Sequence, residues 1–493
     1  MVNERKIQEI VEKVLDRVSS DPAVKAIVSP PSSSSSGSSS TTASRTPGIH
    51  VPRASAEGRN GIFTDVDSAV EAAWVAHQRL VHETSIDVRA KAIQAIRDIT
   101  VQQAANLAKM TVEETGLGRI SHKIEKNKCA ALKTPGLEAL SPVSFTGDHG
   151  LTLDERAPYG VIADITPCTN ATETIINNGI GMLAGGNGVV FNVHPAARKT
   201  SVHYIRMLNQ AMVAAGAPDN LFSCIAEPTI ESAGALMKHD RTRIVVVTGG
   251  PGVVKAAMAT GKKVIAAGPG NPPVLVDETA HLDQAARSIC QGASLDNNIV
   301  CIVEKEIFAV DSIANRLKEE LVRNGAYELK PREIQALEKV IIQDGHVNRK
   351  FIGKNPNVIL KEIGVRVSED TPIAFGEVHA DHPFVRLEML MPVLGFVRVP
   401  NVTVGIEEAV RAERGCFHTS VMHSTNIDNL HQMARAANTS LFVKNGPSYA
   451  GLGLGGEGYT SWTIAGPTGE GLTTAWHFTR FRRCTLVDHF RVV

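Results

Sequence analysis

The stretch Ser294 to Cys301, SLDNNIVC, sets one acid and two amides just ahead of a single cysteine. A cysteine thiolate is a strong nucleophile, but the free thiol has a pKa of about 8.5, so nearby charges or dipoles must favour its ionisation. Asp296, Asn297 and Asn298 are awkward company for a purely structural core cysteine, which makes Cys301 the first candidate nucleophile. Cys168, in TPCTN, is the rival, because it too falls in a polar segment just after an apolar run. Most free cysteines are small buried hydrophobes, and that reading covers several of the seven in this chain.

The elements that must position these residues are legible between residues 160 and 267. GVIADIT (160–166), GVVFNV (188–193), LFSCI (221–225), RIVVVT (243–248) and KVIAA (263–267) are short apolar runs rich in β-branched residues. Helical segments at 199–215 and 228–238 separate them, which predicts a parallel sheet covered on both faces. Ligands of such sheets sit beyond the carboxyl ends of the strands. The residues found there are Thr166 and Pro167, then His194 and Pro195, then Thr248, Gly249 and Gly250. TGGPG (248–252) joins strand to helix through glycines, as a phosphate site would, although a plain tight turn has the same composition. Three polar strand ends together point to a nucleotide.

At 493 residues and 43% hydrophobic content the chain can build two or three domains. Fifty-one basic residues balance 51 acidic ones, so no global field draws nucleic acid or an anionic membrane, and a small molecule is the default partner. The scattered cysteines lack CxxC pairing, which fits a reducing cytoplasm. No apolar run approaches the roughly 20 residues of a membrane span. Residues 65–112 read as helices ended by the glycines of EETGLGR (113–119), and 301–445 mixes strands with helices as a second α/β domain, its first strand beginning at Cys301. CTLVDHFRVV (484–493) reads as a closing strand.

Ile7, Ile10, Val11, Val14, Leu15 and Val18 form one stripe of an amphipathic helix over residues 1–18, followed by a Ser/Pro-rich tether within 19–48. Such a helix folds back onto the body, docks in a groove of another protein, or adsorbs to a membrane. Its polar face carries both signs, which disfavours the last.

The runs TPCTN (166–170), HPAA (194–197), VVVTGGPGVV (245–254), AAGPGNPPVLVDETA (266–280), DNNIVC (296–301), LEMLMPVL (387–394) and KNGPSYAGLGLGGEG (444–458) occur in order. Together they resemble the coenzyme A-acylating aldehyde dehydrogenases of bacterial microcompartments, members of the aldehyde dehydrogenase superfamily. The resemblance runs from about residue 60 to the C-terminus. It implies a Rossmann-type cofactor domain over 49–271 with a returning C-terminal segment, a catalytic α/β domain over 272–465, and a small oligomerisation element at 466–493. It places the catalytic cysteine at Cys301 and the amide of the oxyanion hole at Asn170. Thr166, Pro167, His194, Pro195, Thr248, Gly249, Gly250, Gly268 and Glu388 fall at the coenzyme, with Glu388 at the nicotinamide ribose. The implied substrates are a short aldehyde (propionaldehyde or acetaldehyde), NAD and coenzyme A; the implied setting is a homo-oligomer in a microcompartment lumen in the cytoplasm, docked to a shell protein through residues 1–18.

Two departures from the wider superfamily are informative. Where hydrolytic members carry a water-activating glutamate, this chain has Ala266, which suits release of the acyl group to a thiol. A hydrolytic enzyme and a non-catalytic shell cargo protein are the alternatives; Ala266 argues against the first, and intact Cys301 and Asn170 against the second. At the adenosine ribose, His194 and Ala197 replace the usual lysine and glutamate. Charge there leaves NAD and NADP both open, and the resemblance favours NAD. His379 and His382, and the loop 451–458, are assigned no role, although the loop is a candidate wall of the substrate or coenzyme pocket.

Overall fold

A computed structural model describes residues 60–492; the helix expected over 1–18 and the linker 19–48 lie outside the described residues. Asp65 accepts a hydrogen bond from Ser68 N (2.8 Å) and so starts the helix Val66–His82, whose buried alanine-rich face includes Ala69, Ala73 and Ala76. The next helix, Ile86–Thr115, stops where Gly116 takes a left-handed conformation (φ 68°). A third, Ile120–Lys133, follows. Among the described residues no helix is long and apolar enough to cross a membrane.

The five apolar runs form five strands of one six-stranded parallel sheet, in the order Ile62–Phe63, Phe222–Ile225, Gly188–Asn192, Val161–Ile165, Thr242–Thr248, Lys263–Ala267. The chain starts its main run at Val161–Ile165, steps outward twice, then returns to the opposite side of that strand at Thr242–Thr248. The strand order therefore reverses between these two strands, and the crevice beyond their carboxyl ends is the expected ligand site. Helices cover both faces, with Ile162, Val189 and Ile244 in one core and Ala163, Val190 and Val245 in the other, which explains the lack of polar alternation in these strands.

A second parallel sheet has seven strands, with Pro273–Val276, Glu306–Val310 and Val393–Val399 adjacent within it. It differs from the sequence reading at one place that matters. The strand begins at Glu306 and not at Cys301, because residues 301–305 form an irregular turn. The hairpin Val143–Gly147 and Gly150–Pro158 has no counterpart in the sequence reading; it pairs antiparallel with Thr479–Val487 to make a third sheet. The closing strand thus begins five residues earlier than CTLVDHFRVV and ends at Val487.

Candidate active site

One cavity of about 960 Å³ opens at the switch point of the first sheet. Thr166, Pro167, Cys168 and Asn170 line it from the first strand end, His194 and Pro195 from the second, and Thr248, Gly249 and Gly250 from the fourth. Gly268, Cys301 and Glu388 complete it, with Ile299, Leu390, Trp462 and Ile464 as apolar wall. Among the described residues Glu388 is the one carboxylate in this lining. The residues fit a dinucleotide. Gly250 caps the helix Pro251–Met258 without a side-chain bond, and a Cβ added at Gly250 or Gly252 would meet nothing within 4 Å, so a phosphate can approach the backbone closely. His194 accepts a hydrogen bond from Ala196 N (3.1 Å), and burial lowers its pKa.

Asn170 occupies the N-cap of the helix Ala171–Ala184, yet its side chain makes no capping bond, and its Oδ1 is buried without a hydrogen-bond partner. Cys301 is delivered by a turn in which Asp296, Asn297 and Asn298 all have positive φ (50°, 54° and 66°). Each such residue costs roughly 1–2 kcal/mol, so the surrounding contacts must impose the conformation. Asn297 accepts from Arg119 Nε (2.7 Å) and donates to Gly353 O and Asn355 Oδ1; Asn298 donates to Ala293 O and Glu304 O. Asp296 accepts from Lys123 Nζ (2.8 Å), Lys126 Nζ (2.6 Å) and Arg119 N (2.9 Å). Burial would raise its pKa, but the two ammonium groups outweigh burial and hold it at about 2. Lys126 also pairs with Glu173 (3.2 Å), three residues into the helix that Asn170 begins. The acid and amides ahead of Cys301 therefore build the turn and tie it to the Asn170 helix, and do not themselves activate the thiol.

Around Cys301 itself the groups are different. The residue keeps partial exposure to the cavity, and the thiol is pushed up to about 12, first by burial and then by the charge of Glu388; Lys305 and Lys126 pull the other way. Burial likewise raises Glu388, whose Oε1 lies 3.5 Å from Gly270 N, at the limit of a hydrogen bond. Gly270 sits between the Cys301 carbonyl and the His418 ring; a Cβ there would lie 2.7 Å from the first and 3.0 Å from the second. His418 is buried, with its Nε2 unpartnered, and burial together with Lys305 lowers it to about 4, so the ring is held neutral.

Ala266 is fully buried, with its N–H donated to Thr468 Oγ1 (3.0 Å), while Ala267 lines the cavity. His379 and His382 line a separate depression, where His382 Nε2 is 3.5 Å from Glu338. No residue of 451–458 is in the cavity lining; Gly453 and Gly456 instead receive hydrogen bonds from Lys133 Nζ. The wall of this cavity comes instead from Trp462 and Ile464 further on. Sequence reasoning missed Lys123, Lys126, Lys305 and His418. For Lys305 a signal was present, since a lysine between two glutamates (304–306) interrupts the otherwise apolar run 301–310. The other three carry no spacing pattern.

Residues 39–330 match the aldehyde dehydrogenase family. The acetylating acetaldehyde dehydrogenase of Escherichia coli (strain K12) is 50% identical over 440 residues, 88% of this chain and 94% of that protein. The propionaldehyde dehydrogenase of Rhodopseudomonas palustris, solved with bound propionyl-CoA, superposes with a TM-score of 0.86 at 49% identity, covering 87% of this chain and 96% of that one. A further structure of that enzyme holds CoA and an acylated cysteine. The propionaldehyde dehydrogenase of the Clostridium phytofermentans fucose utilisation microcompartment gives 0.86 at 45% identity over 88% of this chain and all (100%) of that one. The chain belongs to the aldehyde dehydrogenase family. Within it, relatives to which it is similar over most of its length include an acetylating acetaldehyde dehydrogenase and a propionaldehyde dehydrogenase that binds propionyl-CoA.

Proposed function

We propose that this protein oxidises a short aliphatic aldehyde, propionaldehyde or acetaldehyde, with NAD and coenzyme A to the acyl-CoA. The observation that carries the reading is the meeting of Cys301 and Asn170 in a cavity whose lining, among the described residues, holds Glu388 as its one carboxylate. Thr166, Pro167, His194, Pro195, Thr248 to Gly250 and Gly268 hold the dinucleotide, with Glu388 at its nicotinamide ribose. The Cys301 sulfur attacks the aldehyde carbon to form a thiohemiacetal. Its oxygen takes up negative charge and is met by the Asn170 amide and the Cys301 backbone N–H, where one donor is typically worth roughly 10²–10³ in rate. NAD, when bound, supplies the hydride acceptor. A thioester on Cys301 remains, and the coenzyme A thiolate displaces it, restoring Cys301 and forming the C–S bond of the product. A thiolate needs less help than water, so Ala266 suffices where a hydrolytic enzyme needs a base.

Sustained NADH formation from propionaldehyde is expected only when free coenzyme A is present, with propionyl-CoA as product. Comparable turnover without it, yielding propionate, would reject the acylating reading and point to Glu388 as the group that activates water.

The exposed apolar residues Phe145 (54%), Phe481 (55%) and Val487 (65%) on the three-stranded sheet support a homo-oligomer assembled through it. The similarity to microcompartment enzymes supports a place in the lumen of such a shell. Residues 1–18 then serve as the shell-docking segment. Fused to an unrelated fluorescent protein, residues 1–18 are expected to bring it into shells as puncta; diffuse fluorescence would reject the tag.

A further inference from the structure

Glu304, Lys305 and Glu306 are three consecutive charged residues, all buried (0%, 1% and 0% exposed), immediately after the Cys301 turn. Removing an ion from water costs several kcal/mol, so each needs an account. Glu304 is engaged elsewhere: its carboxylate accepts from Ser448 N (2.8 Å) and Ser448 Oγ (2.7 Å). Glu306 accepts from Asn271 Nδ2 (3.2 Å), and burial raises it well above the usual carboxylate range. Lys305 is unlike the other buried lysines. Lys126 is neutralised by direct contact with Asp296 and Glu173, and Lys123 by Asp296. The Lys305 ammonium instead directs its three hydrogen bonds to oxygens of the turn itself: Asn298 O (2.6 Å), Asn298 Oδ1 (2.8 Å) and Val300 O (3.2 Å). None of these acceptors is a carboxylate. Its positive charge is therefore held against the carbonyl of Val300, the residue before the nucleophile, without a contact ion pair to quench it.

We propose that Lys305 is a positioning residue for this reaction: its ammonium group fixes the left-handed turn that carries Cys301 and supplies the positive charge against which the Cys301 thiolate forms. The inference rests on the reading of Cys301 as the nucleophile. A fixed cation in a low-dielectric site stabilises a neighbouring anion far more than one in water, and lysine is among the groups that lower a cysteine pKa. The charged and titratable groups facing Cys301 are Glu388, Lys305 and Lys126; those facing Lys305 are Glu388, Cys301, Glu306, Glu304 and His418. Glu388 opposes ionisation of the thiol, and Lys126 is held by its own carboxylates. Lys305 is the cation left to favour it. Burial lowers Lys305 itself to about 8, so it is charged at neutral pH.

The test is the pH dependence of Cys301 alkylation by iodoacetamide in the full-length protein, followed on the Cys301 peptide by mass spectrometry. With Lys305→Met the rate at pH 7 is expected to fall about tenfold, the effect of a rise of about one unit in the thiol's pKa, and the gap to wild type to close as the pH rises through about 8, where wild-type Lys305 loses its charge. Lys305→Gln, which keeps a donor to the turn but no charge, should show the same shift and carries the test if the methionine variant does not fold. Lys305→Arg, which keeps the charge, should restore much of the rate. A purely structural lysine would lower the rate by the same factor at every pH in all three variants. No loss at pH 7, or a loss that does not change with pH, in a folded, NAD-binding Gln or Met variant would overturn the proposal. Failure of the underlying reading looks different: wild-type protein would then still acylate after Cys301 is blocked.

Discussion

A Cys301→Ala protein is expected to form no acyl-enzyme and to lose NADH production by a factor on the order of 10⁴ or more, the scale on which removal of a covalent nucleophile acts. Wild-type protein given propionaldehyde and NAD without coenzyme A should gain one propionyl group, located on the Cys301 peptide by mass spectrometry. Cys168→Ala is the informative control, since Cys168 lines the same cavity. Both thiols are raised by burial, but Cys168 lacks the apparatus that surrounds Cys301. Its turn is not clamped by left-handed residues, and Lys123, the cation that favours its ionisation, is bound to Asp296. It should retain turnover within a few-fold. Acylation that persists in Cys301→Ala and disappears in Cys168→Ala would reverse the assignment.

The contrast between these two cysteines also marks what a sequence can disclose. The strand-end residues were legible because covered parallel strands are written as uninterrupted apolar runs, and whatever polar residues follow them must lie at one edge of the sheet. Thr166, His194 and Thr248 are found together for that reason. The acid and amides at 296–298 were legible as an anomaly but not as a mechanism. Their partners Arg119, Lys123 and Lys126 lie 170 or more residues away along the chain, and only the fold brings them to the turn. The glycines of EETGLGR illustrate the same limit. Gly116 ends a helix as its composition suggests, but Gly118 is needed because a Cβ there would lie 2.0 Å from Asp296 Oδ1. The hairpin at 143–158 escaped because neither strand has a buried face to impose a pattern, one being exposed and the other half-buried, and its partner strand is more than 300 residues away.

Asn170→Ala is expected to lower kcat by roughly 10²–10³, about 2.7–4 kcal/mol of transition-state stabilisation, while KM for the aldehyde changes little. What makes this substitution decisive is its small expected effect on stability. Asparagine at an N-cap ordinarily satisfies a helix N–H, and its replacement by alanine costs about 1 kcal/mol. Here the cap position is occupied but the capping bond is not made, and the carboxamide oxygen is buried without a partner. The helix is anchored by other means, Glu173 pairing with Lys126 one turn on. The amide is thus withheld from the structural task that its position offers, and it lies in the same cavity as Cys301. Melting temperature and the rate of Cys301 alkylation should both stay near wild type, since neither involves the developing oxyanion. A fall in kcat with those two unchanged would assign the amide to the transition state. A variant that melts early, or whose thiol also loses reactivity, would instead make Asn170 a structural support of the Cys301 loop and leave the oxyanion to the backbone N–H.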